Sequence, residues 1–339
     1  ANKRANILDS LKLDQAFRFA QRKMADGFAD EAMAICDDIL TKFPQNNRAK
    51  ELRKELSLAN KPSVTAPAEP EKEQLSLLIT KFNSGELEQA ADQAQVLLQE
   101  YPLSLTLYNI IGASNSRLKK YDLAIASYKK AISIRPGYAE AHNNMGIALK
   151  ESGDLDAAIE AYNQALKSKP DYAEACYNKG IALQEKRDLS SATESYQQAI
   201  NINPNYSEAY NNLGNIHQDR GEWGDAINNF EMATKINSKY TAAHRNLGLA
   251  LYRTNHFSAA VESLMRAIEL NPHYTESYFN LGLIYQSMGK SLEAISAFND
   301  ALVLNADHEA ARVSKLHQQS QLCDWSGISE DRALIPTLG

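Results

Sequence analysis

Histidines, cysteines and a row of asparagines are the residues whose types and spacing decide what chemistry this chain has to offer. His142, His217, His244, His256, His273, His308 and His317 never fall into HExxH or another metal-ligand spacing, so no metal is expected. Cys36, Cys176 and Cys323 form no CxxC pair, and their odd number and wide separation point to a reducing, cytoplasmic setting. Neither a GxxxxGK loop followed by Ser or Thr nor a GxGxxG opening a helix after a strand occurs, which removes the common nucleotide cradles and any expected cofactor. The asparagines are different. Asn144, Asn178, Asn212, Asn246 and Asn280 recur every 34 residues. A primary amide carries two donors and an acceptor and so matches the N–H and C=O of an extended peptide. Each such hydrogen bond nets roughly 0.5–1.5 kcal/mol, so a row acting together would hold a peptide with little regard to its side chains. The competing reading is structural, an amide that satisfies neighbouring helix ends, and the residues leave both open.

The elements that must position these amides follow the same interval. Pro102, Pro136, Pro170 and Pro204 are 34 apart, with Ser238, Pro272 and Ala306 in the next places. Gly112, Gly146, Gly180, Gly214, Gly248 and Gly282 run parallel, as do two alanine series from Ala90 to Ala294 and from Ala131 to Ala301. Between the alanines stand Tyr128, Tyr162, Tyr196, Phe230, Leu264 and Phe298. In the unit Ala139–Tyr172 the spacing of His142, Met145, Gly146 and Leu149 predicts a helix over 139–151 with one buried face. Ala158, Ile159, Tyr162 and Ala165 predict a second helix over 155–168, stopped by Pro170, which has no N–H and clashes with the preceding turn. Gly146 and Ala158 are small enough for two helix backbones to approach. Gly153 falls just past the first helix, where a left-handed conformation suits glycine; Gly27, Gly85, Gly221 and Gly289 fill the same place, with Asn255 the next-best residue.

These series resemble the tetratricopeptide-repeat family, whose unit is two helices with a proline closing the second. Seven units are read at 71–104, 105–138, 139–172, 173–206, 207–240, 241–274 and 275–308. The large aromatic that the family places early in the first helix is replaced by Tyr108, His142, Cys176, Tyr210, His244 and Tyr278. For His142 and His244 that slot implies packing and not ligation. The resemblance implies an all-α, right-handed superhelical solenoid with first helices lining the inner surface, stabilised by stacking of neighbours. Residues 1–57 read as a divergent unit, with Gly27, Ala32 and Pro44 in the expected places and a cap helix after it. Residues 58–70 form a Pro- and Ala-rich linker expected to be extended and loosely ordered, 309–322 a C-terminal cap helix and 323–339 a tail without the pattern.

Composition narrows the function classes. Hydrophobic residues at 44% and charged residues at 23% suit a packed chain. A net charge of −6 and no long basic run argue against nucleic acid as a partner. No run of eighteen apolar residues exists, so no membrane span is expected, and Ala1–Arg4 reads as a trimmed start with no signal peptide behind it. Protein or extended-peptide partners remain, and the chain itself is expected to be no enzyme. Some relatives hold C-terminal carboxylates with inner lysines; Glu140, Glu174, Glu208 and Glu276 occupy those places here and would repel them. The row of asparagines is similar to that of the O-linked N-acetylglucosamine transferases. Lys315–Gln319 and Leu322–Ile328 also resemble the passage from repeats to catalytic region in bacterial relatives of those enzymes. That implies a second reading, the substrate-recruiting arm of a glycosyltransferase whose catalytic region is absent from this chain; Trp325 would otherwise plug the last cap helix. A third reading is a scaffold that self-associates through its end caps.

Overall fold

The computed structural model describes residues 12–25, 29–59 and 69–322. Gly27, most of the stretch read as a linker, and the tail with Cys323 and Trp325 therefore lie outside the described residues. Among the described residues the chain is all helix, without a strand. By its internal contacts it divides into two compact units, residues 1–134 and 135–339.

The first unit holds α1 (Leu13–Ala25), α2 (Ala29–Lys42), α3 (Asn47–Ala59), α4 (Lys72–Asn83), α5 (Leu87–Leu97), α6 (Leu105–Arg117) and α7 (Tyr121–Ile134). α1–α3 close a core of their own around Ala16, Ile35, Cys36, Ile39 and Leu52. Leu78, Ala94, Leu107 and Ile110 make the core of α4–α6. Glu69 and Pro70, the last residues of the expected linker, are held in place. Pro70 is buried, and the Glu69 carboxylate accepts from Ser104 Oγ at 2.5 Å and from the backbone N–H of Leu105 and Thr106 at 3.0 and 3.3 Å. A carboxylate there satisfies the open donors of α6 and faces the positive end of its dipole.

The second unit holds α8 (Ala139–Glu151), α9 (Leu155–Ser168), α10 (Ala173–Glu185), α11 (Leu189–Ile202), α12 (Ser207–Asp219), α13 (Trp223–Ile236), α14 (Thr241–Arg253), α15 (Phe257–Leu270), α16 (Thr275–Ser287), α17 (Ser291–Leu304) and α18 (Glu309–Gln321). The bounds of α8 and α9 are those expected from the spacing. Each helix packs on the next in the chain, so one-unit cores fuse into a continuous one. First helices also meet first helices, α8 with α10, α12 with α14, α14 with α16 and α16 with α18, whereas successive second helices do not pack comparably. Within this unit the first helices therefore crowd onto the inner side of the stack. None of the described helices is long and apolar enough to cross a membrane.

The group nearest the recurring glycines is a side chain. At Gly146 it is the Tyr162 ring: an added Cβ would stand 2.6 Å from its Cε1. Tyr128, Tyr196, Phe230 and Phe298 lie in the same way against Gly112, Gly180, Gly214 and Gly282, all with fully or almost fully buried rings. At Gly248, opposite the smaller Leu264, a backbone atom, the Ala260 carbonyl oxygen, is also among the nearest groups, 3.2 Å from an added Cβ.

The turn after each first helix adopts a positive φ at one position per unit: Gly85, Lys119, Gly153, Arg187, Gly221, Asn255 and Gly289. The sequence reading named the glycines and Asn255 but missed Lys119 and Arg187, whose φ values are 59° and 66°. Packing on both sides imposes the conformation whatever the residue, so a side chain with a Cβ bears strain of about 1–2 kcal/mol there. Arg187→Gly should therefore raise stability by about 0.5–1 kcal/mol after the greater freedom of glycine in the unfolded chain is subtracted. A thermal melt followed by circular dichroism checks this, and a lower Tm would contradict it.

Candidate functional site

The five ladder asparagines fall on α8, α10, α12, α14 and α16, each two residues before the recurring glycine, which receives a ring in every case but Gly248. The helix carries the side chain back toward the preceding first helix. Asn178 Nδ2 donates to Asn143 Oδ1 at 3.1 Å. Asn212 Nδ2 lies 3.3 Å from the Tyr177 hydroxyl and 3.4 Å from that of Tyr196. Asn246 Nδ2 donates to Asn211 Oδ1 at 3.0 Å and to Asn215 Oδ1 at 2.9 Å. These three amides thus tie adjacent first helices together, as a polar group leaving water must.

The amides differ in what they keep free. Asn246 is 7% exposed, has both N–H groups engaged, and its oxygen accepts from Arg245 Nη2 at 3.1 Å. Asn144 Oδ1 accepts from Asn143 Nδ2 at 3.4 Å. Asn178 donates one N–H and retains its carbonyl oxygen, and Asn280 is half-buried without a side-chain hydrogen bond among the described residues. The partners Asn143, Tyr177 and Asn211 were not singled out from the sequence. Their signal was available, since they keep the same interval one residue before the ladder.

The slot of the replaced aromatic is a packing and capping position. His142 Nε2–H donates to the Pro136 carbonyl at 2.9 Å, His244 Nε2–H to that of Ser238 at 3.1 Å, and the Tyr108 hydroxyl to that of Pro102 at 3.4 Å. Burial lowers the pKa of His244, which keeps it a neutral donor. Cys176 fills the slot as a small apolar group, and burial pushes its thiol up to about 11, as it does for Cys36.

A second series is more exposed. Tyr138, Tyr172, Tyr206, Tyr240 and Tyr274 immediately precede α8, α10, α12, α14 and α16, all half-buried. The Tyr177 ring centroid lies 4.8 Å from that of Tyr206. Cations of the chain rest over several of these rings, Arg135 over Tyr138 at 4.1 Å, Lys169 over Tyr172 at 4.8 Å and Arg245 over Tyr274 at 5.2 Å. At the second residue of α8, α10, α12 and α16 stand Glu140, Glu174, Glu208 and Glu276, with Ala242 in that place on α14. Burial first, and then the carboxylates of Glu174 and Glu140, push Tyr172 up to about 12. Burial, with lesser contributions from Tyr177 and Glu208, does the same for Tyr240. Tyr162 and Tyr196 are by contrast completely buried.

Tetratricopeptide-repeat models match residues 103–171, 143–209, 195–228, 218–255, 252–289 and 275–308, an unbroken run from 103 to 308. The chain belongs to the tetratricopeptide-repeat family. Among curated proteins, a probable UDP-N-acetylglucosamine–peptide N-acetylglucosaminyltransferase of Arabidopsis thaliana is 35% identical over 80 residues, 24% of this chain. The match spans only 8% of the plant protein. The crystal structure of YrrB, described as a tetratricopeptide-repeat protein with an unusual peptide-binding site, aligns with a TM-score of 0.52 and 21% identity over 57% of this chain and 99% of that one. The C-terminal part of a repeat protein from Cytophaga hutchinsonii gives 0.58 and 16% over 71% and 98%, and the APC/C hetero-tetramer Cut9–Hcn1 0.55 and 18% over 86% and 52%. At these identities the structural likeness speaks for the fold alone.

Within this tetratricopeptide-repeat chain one group of side chains departs from the pattern of the other units. His217 stands where the other units from Ala139 onward carry leucine or tyrosine, and its Nδ1 is 2.6 Å from Glu222 Oε2. With Asp225 these donor atoms all lie within 4.8 Å of one another. Glu222 and Asp225 are exposed, and the contact ties the end of α12 to the start of α13. It is a turn fastening whose donor set would suit a divalent cation only weakly.

Proposed function

We propose that this tetratricopeptide-repeat chain is a protein-interaction module whose second compact unit binds an extended peptide on its first-helix face. The candidate contacts are Asn144, Asn178, Asn212, Asn246 and Asn280. The observation that carries this reading is the partial saturation of that row: Asn178, Asn212 and Asn246 hydrogen-bond to the preceding first helix, while Asn178 and Asn280 keep unused hydrogen-bonding groups. The ladder then has two jobs, with Asn246 serving the stack and Asn178 and Asn280 facing the ligand.

A peptide of about 12 residues selected from a displayed random library provides the probe. Asn178→Ala and Asn280→Ala should each weaken its binding by about 2–10-fold, one net hydrogen bond; Asn280→Ala should leave the Tm nearly unchanged, whereas Asn178→Ala should also lower it modestly because buried Asn143 loses a donor. Asn246→Ala should instead lower the Tm, because Asn211 and Asn215 lose their donor. Unchanged affinity in the Asn178 and Asn280 variants would reject the groove role.

The partial likeness to a plant N-acetylglucosaminyltransferase favours one further reading, a substrate-recruiting arm of a glycosyltransferase. A catalytic glycosyltransferase region encoded downstream of Gly339 in the same reading frame supports it, and a stop codon there rejects it.

A further inference from the structure

We propose that the second compact unit holds an acidic side chain of its ligand, a carboxylate seated between Arg245 on α14 and Asn280 on α16. The proposal rests on the peptide-binding reading above and adds the chemistry of one ligand residue.

Three ladder amides meet the residue 35 places before them. Asn178 reaches Asn143, Asn212 reaches Tyr177 and Asn246 reaches Asn211, at 3.1, 3.3 and 3.0 Å. α14 and α16 pack on one another, as α8 does on α10 and α12 on α14, so the same register sets Asn280 opposite Arg245. There the contact is not made. Arg245 Nε and Nη2 donate along their own helix to Asn246 Oδ1 at 3.3 and 3.1 Å, and Nη1 donates to the Tyr274 hydroxyl at 2.5 Å. Asn280 is left with its amide donors and its acceptor unused among the described residues.

The Arg245 guanidinium is thus fixed in direction. It is half-buried, rests against the Tyr274 ring and is bonded to neutral groups alone, with no ion pair among the described residues. Three of its five N–H groups are used, which leaves two. Tyr274 accepts from Arg245 and keeps its own O–H to donate. Donors from two packed helices therefore face one place, and a charge that has left much of its water has no counter-ion there. Such a place suits an anion. A carboxylate is the anion that an ordinary peptide side chain carries, and it matches the planar fork of arginine.

The charge of the helices agrees. α14 carries Arg245 and Arg253 and no acidic residue. α8 and α10 each carry two glutamates and one lysine, α12 carries Glu208 and Asp219, and α16 carries Glu276. Arg253 is exposed and makes no ion pair among the described residues. The sign of the first helices therefore reverses at α14, which draws an acidic ligand residue there and turns it away from α8–α12. Glu276 is the internal competitor. It follows Arg245 by 31 places, the separation at which Glu174 accepts from Asn143, yet it forms no ion pair with Arg245.

The test uses the full chain and labelled peptides of about 12 residues with blocked ends, chosen from a displayed random library and read by fluorescence anisotropy. The selected peptides should share an aspartate or glutamate at one position. Changing that residue to its amide should weaken binding to the unaltered chain about tenfold. On Arg245→Gln the same change should matter less than about twofold, because the group it answers is gone. Glutamine can still donate to Asn246, and circular dichroism checks that this variant stays folded. Asn280→Ala, which breaks no internal hydrogen bond, should cut the preference for the acid to about threefold. Glu276→Gln should bind the acidic peptide as tightly or more tightly. Arg266→Gln, which removes the same charge from α15, should leave binding unchanged, and an equal loss there would overturn the proposal in favour of a diffuse field. A neutral peptide with an unblocked C-terminus that binds as tightly, and is weakened by Arg245→Gln, would overturn it in favour of a chain end. Peptides that bind without a shared acid and are weakened by Asn178→Ala would overturn it and leave the peptide-binding reading intact. No binding by any peptide would remove both.

Discussion

Gly180→Ala should lower the stability of the second compact unit by about 1–3 kcal/mol, although glycine to alanine inside a helix ordinarily stabilises by roughly 1 kcal/mol. The added Cβ would stand 2.6, 2.7 and 3.0 Å from Cε1, Cδ1 and Cζ of Tyr196. That ring is fully buried and its hydroxyl is fastened to Gln184, so it has nowhere to move. Removing the ring should reverse the sign: in a Tyr196→Ala background, Gly180→Ala should be neutral or stabilising, because helix propensity is all that remains. The difference between the two backgrounds is the coupling energy of the pair. Urea denaturation monitored by circular dichroism, with hydrogen exchange at α10 and α11 to localise the loss, measures it. Destabilisation of the same size in both backgrounds would show that the ring is not what glycine accommodates.

Alkaline pH should unfold the second unit over a window set by its tyrosines. Tyr172 and Tyr240 are pushed up to about 12 from the ordinary phenol value near 10, and Tyr162, Tyr196 and Tyr206 are raised further, burial being the largest cause in every case. The folded state holds these protons more tightly than the unfolded state. Their contribution to stability is therefore complete below about pH 10 and is lost as the pH climbs toward the folded-state values. Tyrosinate absorbance near 295 nm should rise first for the open phenols, then jump for the buried ones as helical ellipticity falls. Tyr162→Phe should move that midpoint to higher pH at little cost near neutrality. It removes a raised phenol whose hydroxyl has no partner, and Phe230 and Phe298 already fill the same slot in other units. Full titration of all sixteen tyrosines with helicity intact would contradict the account.

Much of the architecture was readable because its causes are local and repeat. The bounds of α8 and α9 follow from which residues recur at helical spacing and from Pro170. Gly153 and Asn255 announce a left-handed turn by residue type, and both have it. Lys119 and Arg187 share that turn without announcing it, and only their register within the 34-residue interval betrays them. The glycines in the first helices were read correctly as places of close approach. That a ring is the nearest group was not legible, because the path of the Tyr162 ring depends on how the second helix of a hairpin is rotated against the first.

The candidate site divides along the same line. The sequence by itself determined that five amides, four glutamates and five tyrosines recur once per unit on the first helices, since periodicity is a property of the order of residues. Only the tertiary structure decided that Asn246 spends its donors inside the stack, that Asn178 spends one donor and keeps its carbonyl oxygen while Asn280 spends neither, and that Lys150 reaches Glu185 while Glu140, Glu174 and Glu208 are left without a cation. It likewise decided that Glu69 caps α6 across 36 residues of chain. Each of these pairings joins groups far apart in sequence, and hydrogen bonds and ion pairs form over a few ångströms. The angle at which one helix crosses its neighbour selects the partner, and no local pattern of residues encodes that angle.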